Sequence, residues 1–438
     1  MFFCSLPVVL YFARNTHMHI YKFGGASIAT PERVENLKQL LVDAPSGPLV
    51  VVVSAKGKTT NQLEEVVMAY MQGDIELART RIQDVEADHT RYAQQLLGTI
   101  PDALAETMNE LLTEVYWLLD EPVQRNYDYC YDQVVAVGEL LSTAIIAAYL
   151  NQEQVPIQWL DVRDIVKTDS QYRDAAIDYA ATQKAVDLIL KPALHRSKRV
   201  MVQGFIGSTD ENNTVTLGRE GSDYTAAIMA YMLNAEKVSI WKDVPGFLNA
   251  DPKQFENTVT IPEISYREVI EMTYYGAQII HPKTIKPLQN KQIPLHVRCF
   301  LDASHPGTLI HHTEQAIDYP PLMVLKNQQV LLQVNTRDYS FITEDKLSEL
   351  YHLFHALRIK INVMQTAAIS FVACVDFHAQ KIEQLLDALK EHYDVKRNEN
   401  VFLFTVRHYN EAILQTELAN RNVLLTQKTR QTIQVVAV

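Results

Sequence analysis

The run LVVVVS (Leu49–Ser54) constrains the fold more than any other stretch of this chain. Its unbroken apolar, β-branched succession leaves no polar side to a strand, so both faces must be covered. Such a strand belongs inside a parallel sheet with helices above and below. The flanking residues agree. Residues 19–23 read as another strand that runs into Gly24 and Gly25. Thr30-Pro31-Glu32 then supplies an N-cap with proline at the first helical position, after which Val34, Leu37 and Leu41 recur at helical spacing. Strand, glycine loop, helix, buried strand is a βαβ unit. The fold class it implies is α/β, with a parallel-rich central sheet sandwiched by helices.

From Asn61 to Asn151 the pattern is almost wholly helical, and the apolar run Tyr129–Leu150 is interrupted by Gly138-Glu139. Strand character returns at 155–160, 199–205, 214–217 and 237–241, alternating with helices near 181–195 and 223–234. His311–Pro321 is polar and ends in proline, as a linker would. Beyond it, strand 328–335, helix 344–357, strands 359–365 and 369–376, helix 379–392 and a weak strand at 393–397 give the βαββαβ order of a ferredoxin-like α+β module. A shorter pass follows, with a strand at 401–408, a helix at 410–419 and strands within 423–437. The expected organisation is therefore a non-structural extension at 1–17, a catalytic domain at 18–310, a linker at 311–322, one α+β domain at 323–398 and an abbreviated second at 399–438.

With 438 residues, 47% hydrophobic and 21% charged, the chain has the length and composition for two or three packed domains. Its net charge of −12 disfavours nucleic acid and membrane surfaces as partners, so a phosphate-bearing ligand must be held by locally focused cations. Cys4, Cys130, Cys299 and Cys374 lie far apart without a CxxC pair, which argues against a zinc cluster or disulfide framework and for reduced thiols in a cytoplasmic protein. Residues 1–17 lack a basic start and a small-residue cleavage site, and Met18 is a plausible start.

Three clusters carry chemistry. Gly57-Lys58-Thr59 is not one of them: a P-loop needs glycine five positions before Gly57, where Val52 stands inside a strand. In KFGGAS (Lys22–Ser27), two glycines let backbone amides approach an anion, and Lys22 adds a full charge at a strand end. In LGREGSDYTAA (Leu217–Ala227), a glycine-spaced loop offers a guanidinium and carboxylates at the start of a helix. In WKDVPGFLNADP (Trp241–Pro252), a strand ends in a proline–glycine turn rich in lysine and aspartate, the kind of loop that binds ligands at the carboxyl edge of a parallel sheet. Taken singly, each is equally a turn, an N-cap or a solvated loop.

Taken together with SAKGKTTN (Ser54–Asn61), VGELLS (Val137–Ser142) and YYGAQIIHPKTI (Tyr274–Ile285), and in this order, these motifs resemble aspartate kinase of the amino-acid kinase superfamily, followed by paired ACT domains. The resemblance implies transfer of the γ-phosphoryl group of MgATP to the side-chain carboxylate of L-aspartate, giving 4-phospho-L-aspartate, the first step toward lysine, threonine and methionine. That acceptor is ionised at pH 7 and needs no general base, so the protein's task is positioning and charge neutralisation. By the resemblance, Lys22 stabilises the transferring phosphoryl group, Gly24, Gly25 and Ala26 present amides to the phosphates, and Asp223 organises Lys22. Arg219 pairs with a substrate carboxylate and Glu139 with its ammonium, while Ser54, Thr60 and Ser222 complete the pocket. Lys242, Asp243, Phe247, Leu248, Lys253 and Gln278 lie toward the nucleotide. No residue is assigned as a metal ligand, because Mg²⁺ is held largely by phosphates and water.

Ala26, Glu220, Lys242, Leu248 and Gln278 depart from the family's common threonine, glycine, threonine, tyrosine and lysine. Lys242 is expected to replace the cation lost at Gln278. Where lysine-sensitive members offer an aspartate and a Ser-Glu pair, Asn362 and Ala367-Ala368 stand, so weak or absent inhibition by lysine is expected. The tail implies a homodimer or larger assembly, with an amino-acid effector as an open possibility. A kinase for glutamate or N-acetylglutamate, or a non-catalytic sensor, is the alternative.

Overall fold

The structure is a computed structural model that describes residues 17–123, 126–277 and 280–438. The chain forms two compact units. The first comprises residues 17–247, 262–266 and 280–313, and the second 248–261, 267–277 and 314–438.

An eight-stranded sheet organises the first unit. Its order is Glu263–Ser265, Thr308–His311, Leu295–Cys299, Lys237–Lys242, His19–Phe23, Leu49–Val53, Arg199–Gln203 and Gln158–Trp159. Neighbours run parallel except Leu295–Cys299 against Thr308–His311. Leu49–Val53 is buried along its whole length, as its unbroken apolar run requires. The helical stretch resolves into Thr59–Met71, Ile75–Leu97, Asp102–Asp120 and Tyr127–Gln152. Tyr127–Gln152 is long and apolar enough to cross a membrane, but its most apolar window is 89% buried, which makes it a core helix. Cys130 and Cys299 in this unit and Cys374 in the other are buried free thiols; Cys4 lies outside the described residues.

The strand expected at 214–217 is Thr214–Thr216, which pairs with Ile206–Ser208 in an antiparallel ladder separate from the main sheet. One expectation in this unit needs adjustment. The helix expected at 181–195 is Tyr179–Ala185 and Lys191–Ser197 around a π-helical turn, Val186–Leu190. Pro192 has no N–H to return to the preceding turn, and the ladder widens there.

A six-stranded antiparallel sheet, in the order Ile361–Thr366, Ser370–Asp376, Leu322–Thr336, Tyr393–Arg407, Thr432–Ala437, Val423–Lys428, organises the second unit. Its first four strands have the ferredoxin-like arrangement. The boundary expected near 398 does not interrupt the sheet, because 393–397 and 401–408 are one strand, Tyr393–Arg407. The latter half of Leu322–Thr336 pairs with the former half of this strand, and Leu322–Lys326 pairs with Leu403–Arg407 across register shifts. Residues 322–326 thus complete the abbreviated second module, although the sequence put them beside the linker and first module. Segment 248–261 belongs to this unit because Ala250 and Phe255 pack on Met323, Phe404 and Val406. Segment 267–277 is anchored by Glu268, which receives Arg407 Nε at 2.5 Å and Nη2 at 2.9 Å, with both side chains buried.

Candidate active site

Register sets the site. Lys22 lies level with Val52 and Ile240, and Phe23 with Val53 and Trp241, so Gly24, Ser54 and Lys242 emerge together at the carboxyl edge of the sheet. This is where open α/β sheets bind ligands. Gly25 begins a short 3₁₀ turn, and its carbonyl accepts the Gly57 amide at 3.0 Å. A Cβ at Gly25 would lie 2.4 Å from the Ala55 carbonyl oxygen, so only glycine permits this approach of two loops. Helix Gly221–Leu233 brings Ser222 and Asp223 in its first turn.

These elements enclose a cavity of about 510 Å³ whose lining includes Lys22, Ser54, Glu139, Arg219, Asp223 and Lys242. Lys22 Nζ sits 2.6 Å from Asp223 Oδ1, with both side chains nearly buried, and Lys242 Nζ lies 3.3 Å from Asp223 Oδ2. Burial works to raise the Asp223 pKa, but the two ammonium groups outweigh it and hold the carboxyl below its ordinary value. One buried anion therefore fixes two cations at the cavity wall. Ser54 Oγ donates to Ser222 Oγ at 2.9 Å, and Ser142 Oγ donates to the Ser54 carbonyl at 2.9 Å.

Glu139 projects from the core helix Tyr127–Gln152. It is 3% exposed, and its Oε2 has no hydrogen-bond partner among the described residues. Burial pushes its pKa up to about 8 against the opposing hydrogen bond from the Ala55 backbone. A buried carboxyl oxygen without a partner, facing a polar cavity, suits an incoming ammonium group. Arg219 is exposed and also lines the cavity. It makes no ion pair among the described residues, so its guanidinium is available to a carboxylate.

The cavity gathers Lys22, Gly25, Ser54, Thr60, Glu139, Arg219, Ser222, Asp223 and Lys242 from five separate stretches of sequence. Gly24 and Ala26 belong to the same glycine turn beside it. Asp243 follows Lys242, and both its carboxylate oxygens accept from Arg33 Nη1, at 3.0 and 2.8 Å. The same nitrogen donates to the Ala26 carbonyl. Phe247, assigned toward the nucleotide, is instead buried, with its amide donating to Thr308 Oγ1. Leu248 and Lys253, assigned likewise, belong to the second unit, and Gln278 lies outside the described residues.

Arg33 was not expected. Neither was the wall formed by Tyr131, Arg173 and Thr216. Behind that wall, buried Asp132 accepts from the Arg173 amide and from both the amide and hydroxyl of Thr216. Burial nevertheless raises its pKa to about 6. No motif marks these residues, because they act through contacts between distant segments. Among the described residues no group of three or more His, Cys, Asp or Glu side chains is placed to hold a metal ion.

Residues 18–299 match the family described as the amino acid kinase family. Lysine-sensitive aspartokinase 3 of Escherichia coli (strain K12) is 30% identical over 364 residues, spanning 82% of this chain and 78% of the relative. The solved structure of E. coli aspartokinase III with lysine and aspartate, described as the T-state, superposes with a TM-score of 0.79 at 26% identity and 96% coverage of each chain. The structure of the same enzyme with aspartate and ADP, described as the R-state, gives 0.78 at the same identity and coverage. The family pattern covers the unit that carries the cavity and the likeness extends through the second unit, so the chain belongs to the amino acid kinase family and, within it, to the aspartokinases.

Proposed function

We propose that this aspartokinase works through the cavity at the sheet's carboxyl edge, transferring the γ-phosphoryl group of MgATP to the side-chain carboxylate of L-aspartate. The observation that carries the assignment is the polarity of the cavity. Lys22 and Lys242 converge on Asp223 at one side, and Glu139 presents an unpartnered oxygen among the lining residues. A dicarboxylic amino acid complements that set. Its ammonium pairs with Glu139, its α-carboxylate with Arg219, and its side-chain carboxylate is directed toward Lys22.

A side-chain oxygen attacks the γ-phosphorus, and the bond to the β,γ-bridging oxygen breaks with its electron pair leaving on ADP. No proton moves, since the nucleophile is already ionised and the leaving group is phosphate. Lys22 and the amides of Gly24, Gly25 and Ala26 neutralise charge on the phosphoryl oxygens, and Lys242 supplies the cation that Gln278 does not. Asp223 keeps both ammonium groups aimed. Mg²⁺ bound to the nucleotide would add positive charge at the phosphate oxygens, beside the ammonium groups of Lys22 and Lys242.

ADP release measured across L-aspartate, L-glutamate and N-acetyl-L-glutamate tests the assignment. Aspartate is expected to support turnover with a kcat/KM at least tenfold above the others. Preference for either other acid would refute it.

A further inference from the structure

Glu220 stands in the loop that carries Arg219, and its backbone has φ 54° and ψ 30°, a left-handed conformation that a residue with a Cβ adopts at a cost. Glu220 is the N-cap of helix Gly221–Leu233, and its carbonyl accepts the Tyr224 amide. Its side chain makes no cap there. Instead Oε2 accepts the backbone amide of His281 at 2.8 Å. His281 is itself the N-cap of helix Pro282–Lys291, where its Nδ1 accepts from the Lys283 amide. Glu220 thus satisfies an N–H at the start of a second helix and places negative charge at that helix's positive end. A second link runs parallel to it. Lys283 Nζ pairs with Asp174, and Asp174 Oδ1 lies so close to Gly218 that a Cβ there would sit 2.5 Å from it. The loop that carries Arg219 is therefore tied to His281 through Glu220, and at Gly218 it abuts Asp174, the partner of Lys283.

We propose that Glu220 is a positioning residue for the substrate's α-carboxylate. By clamping the His281 amide it sets the direction in which Arg219 enters the cavity, and the left-handed backbone persists because this bond fixes it. The proposal rests on the kinase reading given above, and it concerns a residue that does not itself touch the reacting atoms.

Wild type, Glu220→Ala, Glu220→Gly and Glu220→Gln separate the clamp from general stability. Loss of a hydrogen bond to a charged acceptor is worth about tenfold or more, so Glu220→Ala and Glu220→Gly are each expected to raise the KM for aspartate by about that factor. The KM for ATP should stay within about twofold. Glutamine keeps an acceptor oxygen, and Glu220→Gln should recover most of the aspartate affinity. Glycine accepts the left-handed conformation without strain, so Glu220→Gly should melt no lower than Glu220→Ala while binding aspartate as poorly.

Hydrogen exchange of the peptide containing His281 supplies a readout that needs no turnover. Protection should fall in the alanine and glycine variants and persist in glutamine. An unchanged aspartate KM in Glu220→Ala, equal damage to the ATP KM, or unaltered exchange at His281 would overturn the proposal. Absence of aspartate-dependent ADP release in wild type would defeat the kinase reading and the substrate role with it, while exchange at His281 would still decide whether the clamp exists.

Discussion

A carboxyl group held at a pKa of about 8 is mostly protonated at pH 7, so Glu139 must lose its proton before it can pair with the substrate's ammonium. The apparent KM for aspartate is therefore expected to fall as pH rises from 6 to about 8, by up to about tenfold per unit, and then level. Glu139→Gln should bind aspartate weakly with a flat profile over that range. The sign for folding is opposite. A group whose folded pKa is raised from 4.5 to about 8 contributes stability that is complete below the lower value and lost as pH climbs through the higher one. The unliganded wild type should therefore lose Tm relative to Glu139→Gln between pH 6 and 8. A wild-type KM for aspartate that does not change with pH would contradict this account of Glu139. Glu139, Lys22 and Asp223 were legible because they sit in motifs that carry the family resemblance. Arg33, Arg173 and the reach of Glu220 to His281 were not, since no local pattern announces a partner 61 positions away.

At the scale of elements, the glycine turn after the first strand and the loop after the second are fitted against each other. Gly25→Ala drives a methyl group into the Ala55 carbonyl and crowds the Gly57 backbone. Backbone cannot yield as a flexible side chain can, so a loss of about 1–3 kcal/mol in stability and at least tenfold in kcat is expected. Thermal melts and steady-state rates check it, and a variant with native Tm and kcat would show the contact to be pliant. Here the sequence was informative wherever periodicity was strong. The buried strand Leu49–Val53 and the amphipathic helices are dictated by their own side chains. The short strands Glu263–Ser265 and Thr308–His311 have little local signal and exist because neighbours offer them a sheet edge. Residues 322–326 likewise became strand by pairing with the far half of Tyr393–Arg407, which no reading of the linker could reveal.

Across the whole molecule, we propose that any regulation by an amino acid acts through the second unit. At the turn where an effector lysine would need a carboxylate, Asn362 Nδ2 donates to Gln329 and Asp376, and the Asp376 carboxylate already holds Lys326 Nζ at 2.6 Å. An ammonium supplied by the chain itself occupies the nearby anion, so lysine is expected to inhibit weakly or not at all through this turn. An inhibition constant of ~0.1 mM or lower would contradict that. The edge strands Ile361–Thr366 and Val423–Lys428 each have one neighbour among the described residues. Such edges favour pairing about a two-fold axis, and we propose a homodimer through this unit, which sedimentation would detect.

We propose that Lys22, held by Asp223, promotes phosphoryl transfer to the aspartate side chain. Trapping the product as its hydroxamate in hydroxylamine tests it directly, because an acyl phosphate reacts and a phosphate ester does not. Wild type with MgATP and L-aspartate should yield hydroxamate in step with ADP, and Lys22→Ala should lower that rate by about 10²–10³ or more. ADP release without hydroxamate, or a Lys22→Ala rate within a few-fold of wild type, would contradict the account.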